Sequence, residues 1–477
     1  MIFKSIIAFL FIGLFVASGN AHSDGKDFVF SFIITDFEDV SHAATYTLII
    51  IPTNNSTTCT FQYTQNSDNK VVSIEQDVLY GRYNEYLFDI KESTSFLQYG
   101  EDVFYYGNTT DTRIFVSCKD DVKLIGRIAD PINTFGDMFL IPAITNANTQ
   151  YVFATPTTIN SLKGTLAILP VNNEGSITVN ISSYSNGVLF SNETIQYDTT
   201  LGQNQSYVSV WLGVADATLV ISTSSPVMLS FVSPWTSLSD NGNDCGATCV
   251  EDYVAFMPIS SPSTSCPSND KDQRMATHDF STRLHISPPN FGSNCNEVSK
   301  ITIFNDTNTV QGFNQIVDNK GFTSISLIKN DYQSGFSSEH GQLATYRYGS
   351  ILIQPDTHTA YGHFAHYLPS VNEWVTNTTL FYTLGKDCFI EFYTDANGSD
   401  PSLIKVDGIT LDSVSFTKTK MHMFDNKYTQ FVVPVNGWYG LHSFENNNGD
   451  YVLYVVCKNV NGPYNAAGYL TGFNRKN

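Results

Sequence analysis

Apolar and polar positions alternate along this chain in short segments, with the period of two residues that is typical of β-strands. Segments rich in β-branched and aromatic residues recur, and residues such as Asn, Gly, Asp and Pro separate them. We find no long segment with the 3.6-residue period of an amphipathic helix. Representative strand segments are Tyr46–Ile51, Arg113–Val116, Leu219–Ser222, Ile301–Phe304 and Tyr451–Val456. The pattern predicts an all-β fold.

A weak internal repeat suggests how these strands are grouped. A strand, an Asn-rich turn and a second strand occur at Thr47–Tyr63 and Thr165–Ile181, and more loosely at Lys300–Phe313. A strand, a short polar turn and another strand follow, at Asp111–Ile128, Asp216–Ser233, Gly349–Phe364 and His442–Cys457. The repeat predicts three to four tandem antiparallel modules resembling β-sandwiches. Generic similarity between hairpins is the alternative interpretation.

Polar segments divide the chain into predicted units. Ser237–Cys249 and Ser260–Asp272 are rich in Ser, Asp, Asn, Gly or Pro and flank a Cys-containing middle section. The predicted units are a signal peptide (1–21), a first β module (22–158), a second β module (159–236), the middle section (237–298), a third β module (299–370) and a C-terminal β module (371–477).

The N-terminus predicts secretion. Met1–Lys4 is basic, and the apolar run Ile6–Val16 has the length of a signal peptide but is too short for a membrane span. We expect cleavage after Ala21, with an uncleaved N-terminal anchor as the alternative. No later segment approaches the length of a membrane span.

Sequons and cysteines agree with an extracellular location. The nine candidate glycosylation sites are Asn54, Asn55, Asn108, Asn180, Asn192, Asn204, Asn305, Asn377 and Asn397. The eight cysteines predict up to four disulfides. Their positions within the modules favour the pairs Cys59–Cys118, Cys388–Cys457, Cys245–Cys249 and Cys266–Cys295, although the last four could pair differently among themselves.

Composition excludes some partners. Hydrophobic residues make up 42% of the chain, which is enough for a core. The net charge of −20 opposes binding to nucleic acid and to anionic membranes. We interpret the acidic residues as a solvated surface.

The chain lacks common catalytic and cofactor motifs. We find no G-x-S-x-G, H-E-x-x-H, P-loop or G-x-G-x-x-G sequence. Weak metal candidates are the histidines His358, His363 and His366, and a set containing Cys245, Cys249, Cys266, His278, His285 and Cys295. Asp240–Asp244 and Asp395–Asp400 resemble calcium loops without completing the EF-hand pattern. We favour packed histidines, disulfides and solvated turns, and predict no catalytic residue, metal site or cofactor.

Trp438 is the most exposed-looking of the four tryptophans, which also include Trp211, Trp235 and Trp374. It follows the turn dipeptide Asn436-Gly437. Together with the acidic loops, this turn is the candidate partner contact.

The order of several strands carries a family resemblance. The segments are Phe28–Phe32, Asp111–Ser117, Asp137–Ala143, Leu166–Pro170, Val227–Phe231, Cys245–Pro258 and Gly440–Tyr469. Residues 28–475 together resemble the IgGFc-binding protein N-terminal domain family. The chain departs from that family at Cys249–Asp252, where the family usually has an Asp-His pair, and it has no room for von Willebrand type D repeats.

The resemblance implies a secreted binding or structural role in mucus or matrix, without implying immunoglobulin binding. We therefore expect a secreted, non-catalytic glycoprotein that binds extracellular proteins or glycoproteins. The alternative is a secreted carbohydrate-active protein, either a lectin or a glycan hydrolase.

Overall fold

A computed structural model shows a fold built almost entirely of β-sheet, which confirms the predicted all-β class. One short α-helix, Ile90–Ser93, and the 3-10 turns Ile144–Asn146, Val371–Glu373, Leu411–Ser413 and Phe424–Asn426 interrupt the strands that it describes. The structure describes residues 21–35, 44–93, 95–97, 102–155, 163–211, 217–236, 252–260, 271–287, 299–317, 320–321, 323–327, 331–339, 341–354, 359–385, 387–435 and 439–475.

The strands are numbered in chain order. The first eleven are β1 (Ala21–His22), β2 (Gly25–Phe30), β3 (Ile33–Thr35), β4 (Thr45–Pro52), β5 (Thr57–Thr64), β6 (Val71–Val78), β7 (Glu85–Phe88), β8 (Ser95–Leu97), β9 (Phe104–Thr109), β10 (Ile114–Asp130) and β11 (Phe135–Ile141). The next eleven are β12 (Asn148–Ala154), β13 (Lys163–Pro170), β14 (Ser176–Ser185), β15 (Val188–Asp198), β16 (Gln205–Trp211), β17 (Thr218–Thr236), β18 (Asp252–Phe256), β19 (Asp272–Thr277), β20 (Ser281–Ile286), β21 (Lys300–Asn305) and β22 (Phe313–Ile316). The remainder are β23 (Thr323–Ser326), β24 (Gln333–Ser338), β25 (Thr345–Gln354), β26 (Thr359–Tyr367), β27 (Val375–Thr383), β28 (Cys388–Asp395), β29 (Ile404–Val406), β30 (Ile409–Thr410), β31 (Thr417–Lys420), β32 (Tyr428–Val435), β33 (Gly440–Lys458), β34 (Ala466–Leu470) and β35 (Asn474–Arg475).

Five larger sheets contain most of these strands. The first has the order β6-β5-β10-β4-β7, with β2 and β11 also paired to β10. The second has the order β15-β14-β17-β13-β16-β9, with β12 and β18 paired to β17. The third is β19-β24-β21-β22 and the fourth is β23-β20-β25-β26. The fifth is β30-β29-β33-β28-β32-β31, with β27 and β34 paired to β33.

Long strands organise the first two sheets in the same way. β10 lies between β4 and β5, pairing with β5 through its first half and with β4 through its second half. β17 lies between β13 and β14 with the same division. The first two copies of the predicted repeat therefore share one topology. The strands of the first element flank one long strand that is formed by the second element.

The sequence predicts a turn at each polar segment inside the second element. This prediction is wrong for three of the four segments, where one strand continues through the polar residues. β10 continues through its polar segment and changes register between Ser117 and Val122. β17 and β33 show a similar shift at their own polar segments. A bulge of this kind lets one strand serve different neighbours along its length. At Gly349–Phe364, by contrast, β25 and β26 are two separate paired strands.

One strand from each of four sheets packs against the others in the buried interior. β11, β18, β26 and β34 form a ring in which each lies beside two of the others. Small residues allow this approach. A Cβ added to Gly362 would lie 2.5 Å from the Cβ of Ala466, and one added to Gly468 would lie 2.5 Å from the Phe364 ring.

Two buried carboxylates join this central ring. Asp137 on β11 accepts a hydrogen bond of 3.0 Å from the backbone N–H of Ala255 on β18. Asp252 on β18 accepts one of 3.3 Å from the backbone N–H of Ala466 on β34. Burial raises the pKa of both carboxyl groups well above the ordinary value. Asp137 therefore connects β11 to β18, and Asp252 connects β18 to β34.

The hydrophobic core crosses the predicted module boundaries. Ile49 and Ile51 of the first sheet pack in one cluster with Phe381 and other residues of the fifth sheet. Phe256 of the second sheet lies 5.2 Å from Tyr346 of the fourth, measured between ring centroids. β9, from the predicted first module, pairs with β16 of the second. The boundaries themselves stay predictions.

Candidate binding surface

Two of the predicted disulfides form between strands. Cys59 lies opposite Cys118 on β5 and β10, and Cys388 lies opposite Cys457 on β28 and β33. All four side chains are buried. The other four cysteines lie outside the described residues: Cys245, Cys249, Cys266 and Cys295. Their pairing stays a prediction.

The sequon asparagines are accessible. Asn305 is half-buried, and the exposed asparagines are Asn54, Asn55, Asn108, Asn180, Asn192, Asn204, Asn377 and Asn397. Four of them lie at the two edges of the second sheet. Asn180 and Asn192 are on β14 and the edge strand β15, whereas Asn204 precedes β16, beside Asn108 on the opposite edge strand β9.

The histidine candidates that the structure describes do not converge on a metal site. His363 Nδ1 lies 2.5 Å from Ser350 Oγ. His366 stacks on Tyr454 at 4.7 Å, and burial, with Arg347 nearby, lowers the pKa of its imidazole well below the ordinary value. His278 is half-buried beside Tyr332, His285 is buried in β20, and His358 is not among the described residues. In the part of the chain that the structure describes, no three His, Cys, Asp or Glu residues could together hold a metal ion.

The carboxylates of the Asp395–Asp400 loop close backbone turns. Asp395 Oδ1 accepts a hydrogen bond of 2.8 Å from the Gly398 N–H, and Asp400 Oδ1 accepts one of 3.0 Å from the Ser402 N–H. Aspartate side chains often close turns by accepting hydrogen bonds from backbone N–H groups one to three residues later, and Asp395 and Asp400 do so here. The Asp240–Asp244 loop lies beyond the described ranges.

The tryptophan whose side chain the structure describes is not exposed. Trp374 is buried against Tyr428. Trp438 and the side chains of Trp211 and Trp235 are not described. The chain resumes at Tyr439, which is 42% exposed.

Tyr439 is part of a set of exposed apolar and aromatic residues. We define the tyrosine surface as Tyr80, Tyr83, Glu85, Leu87 and Tyr439. Its apolar members are unusually exposed, at 48% for Tyr80, 64% for Tyr83 and 61% for Leu87. Exposed aromatic clusters of this kind mark interaction sites more often than isolated apolar residues do.

A short turn and an edge strand position this surface. Asn84 closes the turn between β6 and β7, since its side chain donates hydrogen bonds to the backbone oxygens of Leu79 and Arg82. β7 then pairs with β4 at one edge of the first sheet. Side chains alternate along a strand, so Glu85 and Leu87 face outward while Phe88 enters the core.

Glu85 fixes the position of two tyrosines from the fifth sheet. The Tyr439 hydroxyl donates a hydrogen bond of 2.5 Å to Glu85 Oε1, and the Tyr382 hydroxyl donates to the same oxygen. Arg127 Nη1 donates to the Tyr439 hydroxyl at 3.1 Å. A Cβ on Gly440 would lie 3.9 Å from the Tyr83 ring, so Tyr83 borders this group. The tyrosine surface therefore spans the junction of two sheets.

The hydroxyls of Tyr439 and Tyr382 stay protonated near neutral pH. Burial, followed by the hydrogen bond with Glu85, raises the pKa of Tyr439 and of Tyr382 above the ordinary value. The hydroxyls therefore act as hydrogen-bond donors to the carboxylate. The surface offers aromatic area and hydrogen-bonding groups.

A sequon lies at the rim. Ser56, the third residue of the Asn54 sequon, accepts a hydrogen bond of 2.9 Å from the Tyr80 N–H. A glycan on Asn54 or Asn55 would leave from beside the tyrosine surface.

This surface could not be predicted from the sequence because exposure within a β-rich chain depends on strand order. The buried ion pairs were not predicted either. Arg113 forms a buried ion pair of 2.8 Å with Asp111, and Arg274 forms one of 2.9 Å with Asp272. The recurring Asp-x-Arg sequence was the available signal, whereas the acidic composition had suggested a solvated role for carboxylates.

Comparisons with known proteins add little. No family model matches the chain, and a search of curated proteins finds no match. Among solved structures, a tetra-tandem repeat from the extending region of a large adhesion protein aligns with 92% of this chain and 98% of that one. The alignment has 9% identity and a TM-score of 0.09, values too low to carry an argument. Among the described residues, no helix is long and apolar enough to span a membrane.

Proposed function

We propose that the chain is a secreted, non-catalytic glycoprotein that binds an extracellular protein or glycoprotein through the tyrosine surface. The Glu85-anchored tyrosines carry this proposal. Tyrosine and arginine are enriched at protein interfaces and among the residues that contribute most to binding. Tyr439 is already held by Glu85 and Arg127, so less side-chain freedom is lost when a partner binds.

Other features support the extracellular part of the proposal. Two disulfides join neighbouring strands, and disulfides persist mainly in oxidising compartments. The exposed sequons would accept glycans in the secretory pathway. The apolar N-terminal run would direct the chain there. The resemblance to the IgGFc-binding protein N-terminal domain family agrees with a mucus or matrix role.

Quantitative capture tests the proposal. The purified, secreted full chain would be incubated with cell-surface and matrix extract of its own tissue, and bound proteins quantified by mass spectrometry. We expect Tyr80→Ser with Tyr83→Ser to lower the main captured species at least tenfold. The matched control is Val188→Ser with Leu189→Ser, which changes two exposed residues of another sheet.

The control should capture the same species as the wild-type chain. Equal capture by all three proteins would contradict binding through the tyrosine surface. Intact mass before and after glycosidase treatment tests secretion separately, since an unmodified mass that retains residues 1–21 would contradict it.

A further inference from the structure

A groove that shares no lining residue with the tyrosine surface lies between the third sheet and the turn before β32. Its volume is about 290 Å³. Aromatic and aliphatic side chains, with amide, hydroxyl and charged groups, line it: Phe304, Val310, Phe424, Gln273, Glu339 and His422. The Phe304 and Phe424 rings meet edge to face with centroids 5.1 Å apart. We call this the Phe304–Phe424 groove.

An unusual backbone forms one wall. Phe424, Asp425 and Asn426 have φ values of 54°, 59° and 58°, the left-handed region that residues other than glycine seldom adopt. Several such residues in succession persist only where the surrounding structure holds them. The backbone N–H of His422 donates a hydrogen bond of 2.6 Å to Gln333 Oε1, and the Met423 side chain is fully buried.

The turn is therefore fixed from both sides. Phe424 is buried against Phe304 and also meets Tyr428, at 6.2 Å between ring centroids. Asp425 and Asn426, by contrast, are exposed and line the groove. The local fold thus places a carboxylate and an amide beside the Phe304 ring, which is only half-buried.

This combination selects a ligand with one apolar face and several hydroxyl groups. A saccharide ring has C–H groups that pack on aromatic carbon and hydroxyls that bond to carboxylate and amide groups. Ligand sites in proteins share this design, with apolar area for contact and a few polar groups for orientation. Val310, which is 84% exposed at the rim, adds further apolar area.

The charges of the groove favour a neutral ligand. Lys271, the ammonium group among the described lining residues, is 3.5 Å from Glu339. Lys427 is likewise 3.2 Å from Asp425. The described lining residues carry two carboxylates, Glu339 and Asp425, against one ammonium group, so the charge balance of the groove opposes an acidic sugar.

We infer that the Phe304–Phe424 groove is a binding site for a neutral saccharide. The saccharide comes from another molecule rather than from the nearest sequon of this chain. Phe304 and Asn305 are consecutive in β21, and consecutive side chains of a strand point to opposite faces. A glycan on Asn305 would therefore leave from the face opposite the groove. This site is separate from the tyrosine surface and goes beyond the proposed function.

Saturation-transfer NMR on the full chain, after enzymatic removal of its own N-glycans, tests the inference. The probes are the methyl glycosides of mannose, galactose, glucose, fucose, N-acetylglucosamine and N-acetylgalactosamine, with 3′-sialyllactose as the acidic comparison. We expect transfer to the ring C–H groups of at least one neutral glycoside. Val310→Arg should reduce that signal at least fivefold by filling the rim, and Asp425→Asn should reduce it by removing a charged acceptor.

Val188→Arg is the matched control, because Val188 is also highly exposed, at 68%, and lies in another sheet. It should leave the signal unchanged, which separates blocking of the groove from a general effect of added charge. Absence of transfer to all six neutral glycosides, transfer to sialyllactose alone, or equal loss in both arginine variants would overturn the inference. With all other glycans intact, an Asn305→Gln protein should give the same glycoside signal as the glycosylated wild-type chain. A stronger signal from Asn305→Gln than from the glycosylated wild-type chain would instead assign the groove to the chain's own glycan and overturn the inference.

Val310→Arg should not change partner capture by the tyrosine surface, and Tyr83→Ser should not change the saccharide signal. Failure of one site is therefore distinguishable from failure of the other.

Discussion

The hydroxyl of Ser182 on β14 donates a hydrogen bond of 3.0 Å to the side-chain amide oxygen of Asn192 on β15. A second hydrogen bond runs from β15 to β14, where the Thr194 hydroxyl donates at 2.9 Å to the side-chain amide oxygen of Asn180. Ser182 and Thr194 are the third residues of the Asn180 and Asn192 sequons. Two sequons therefore interlock across an edge hairpin. A second pair of sequons repeats half of this pattern, where the Ser206 hydroxyl donates a hydrogen bond to Asn108.

Glycans at this hairpin should protect the edge of the second sheet. β15 is a long edge strand on which Val188, Leu189 and Phe190 are exposed by 68%, 53% and 54%. Exposed apolar edge strands pair with other chains unless something covers them. We expect Asn180→Gln with Asn192→Gln to shift the secreted protein towards larger species than the wild-type chain forms, as measured by size-exclusion chromatography with light scattering.

The control for the sequon prediction is Asn397→Gln. Asn397 is exposed in a turn rather than on an edge strand, so its loss should leave the size distribution unchanged. Identical behaviour of both variants would contradict a protective role for the edge glycans.

The Cys59–Cys118 disulfide should make a large contribution to stability. It closes a segment with a sequence separation of 59 residues. In the chain-entropy description, such a loop stabilises the fold by about 4 kcal/mol. We expect Cys59→Ala with Cys118→Ala to lower the free energy of unfolding by about that amount in urea titrations. A loss near zero, or peptide mapping that links Cys59 to a C-terminal cysteine, would contradict the pairing.

The buried Asp111–Arg113 pair should be costly to break from one side. Arg113 also donates to the backbone oxygens of Pro170, Asn172 and Thr199, so it joins the first sheet to the second. Replacing it with methionine leaves a buried carboxylate without its cation, which typically costs about 3–5 kcal/mol.

The paired control for Arg113→Met is Asp111→Leu with Arg113→Met. This double variant removes both charges and should be less destabilised than the single one in the same urea titration. If the double variant were the less stable of the two, the uncompensated charge would not be the cause of the loss.

His366 should make stability depend on pH. Its folded-state pKa is lowered by burial, so the imidazole stays neutral in the fold while the unfolded chain takes up a proton below about pH 6.5. Stability from this group is therefore present above pH 6.5 and lost on acidification, by about 1 kcal/mol between pH 7 and pH 5.5. His366→Phe keeps a ring against Tyr454 and should lose this component, as measured by denaturation at both pH values.

The exposed His422 supplies the control. His422→Gln should keep the wild-type difference between the two pH values. If His366→Phe kept it as well, other groups would carry the pH dependence.

Local features could be predicted from the sequence, and long-range order could not. Alternation identified the strand segments, and the positions of Cys59, Cys118, Cys388 and Cys457 predicted both described disulfides. The insertion of β10 between β4 and β5 depends on pairing between distant segments, which alternation does not encode. The polar residues after Ser117 looked like a turn, but β10 continues through them with a register shift.

The sequence predicted one neighbour of the tyrosine surface but not the surface itself. The sequence pointed to the turn at Trp438, and the neighbouring Tyr439 belongs to the surface. Tyr83 and Glu85 are more than 350 residues earlier in the chain, as the separation of 354 between Glu85 and Tyr439 shows. Only the packing of the first sheet against the fifth brings them together, and no local pattern records that contact.

Site-specific photo-crosslinking tests binding through the tyrosine surface most directly. A photoreactive phenylalanine analogue would replace Tyr83 in one secreted protein and Leu189 in another, and each would be irradiated on its own tissue matrix. We predict that the Tyr83 position forms a discrete covalent adduct with an extracellular protein and that the Leu189 position does not. Adducts of the same protein from both positions, or from Leu189 alone, would contradict the account.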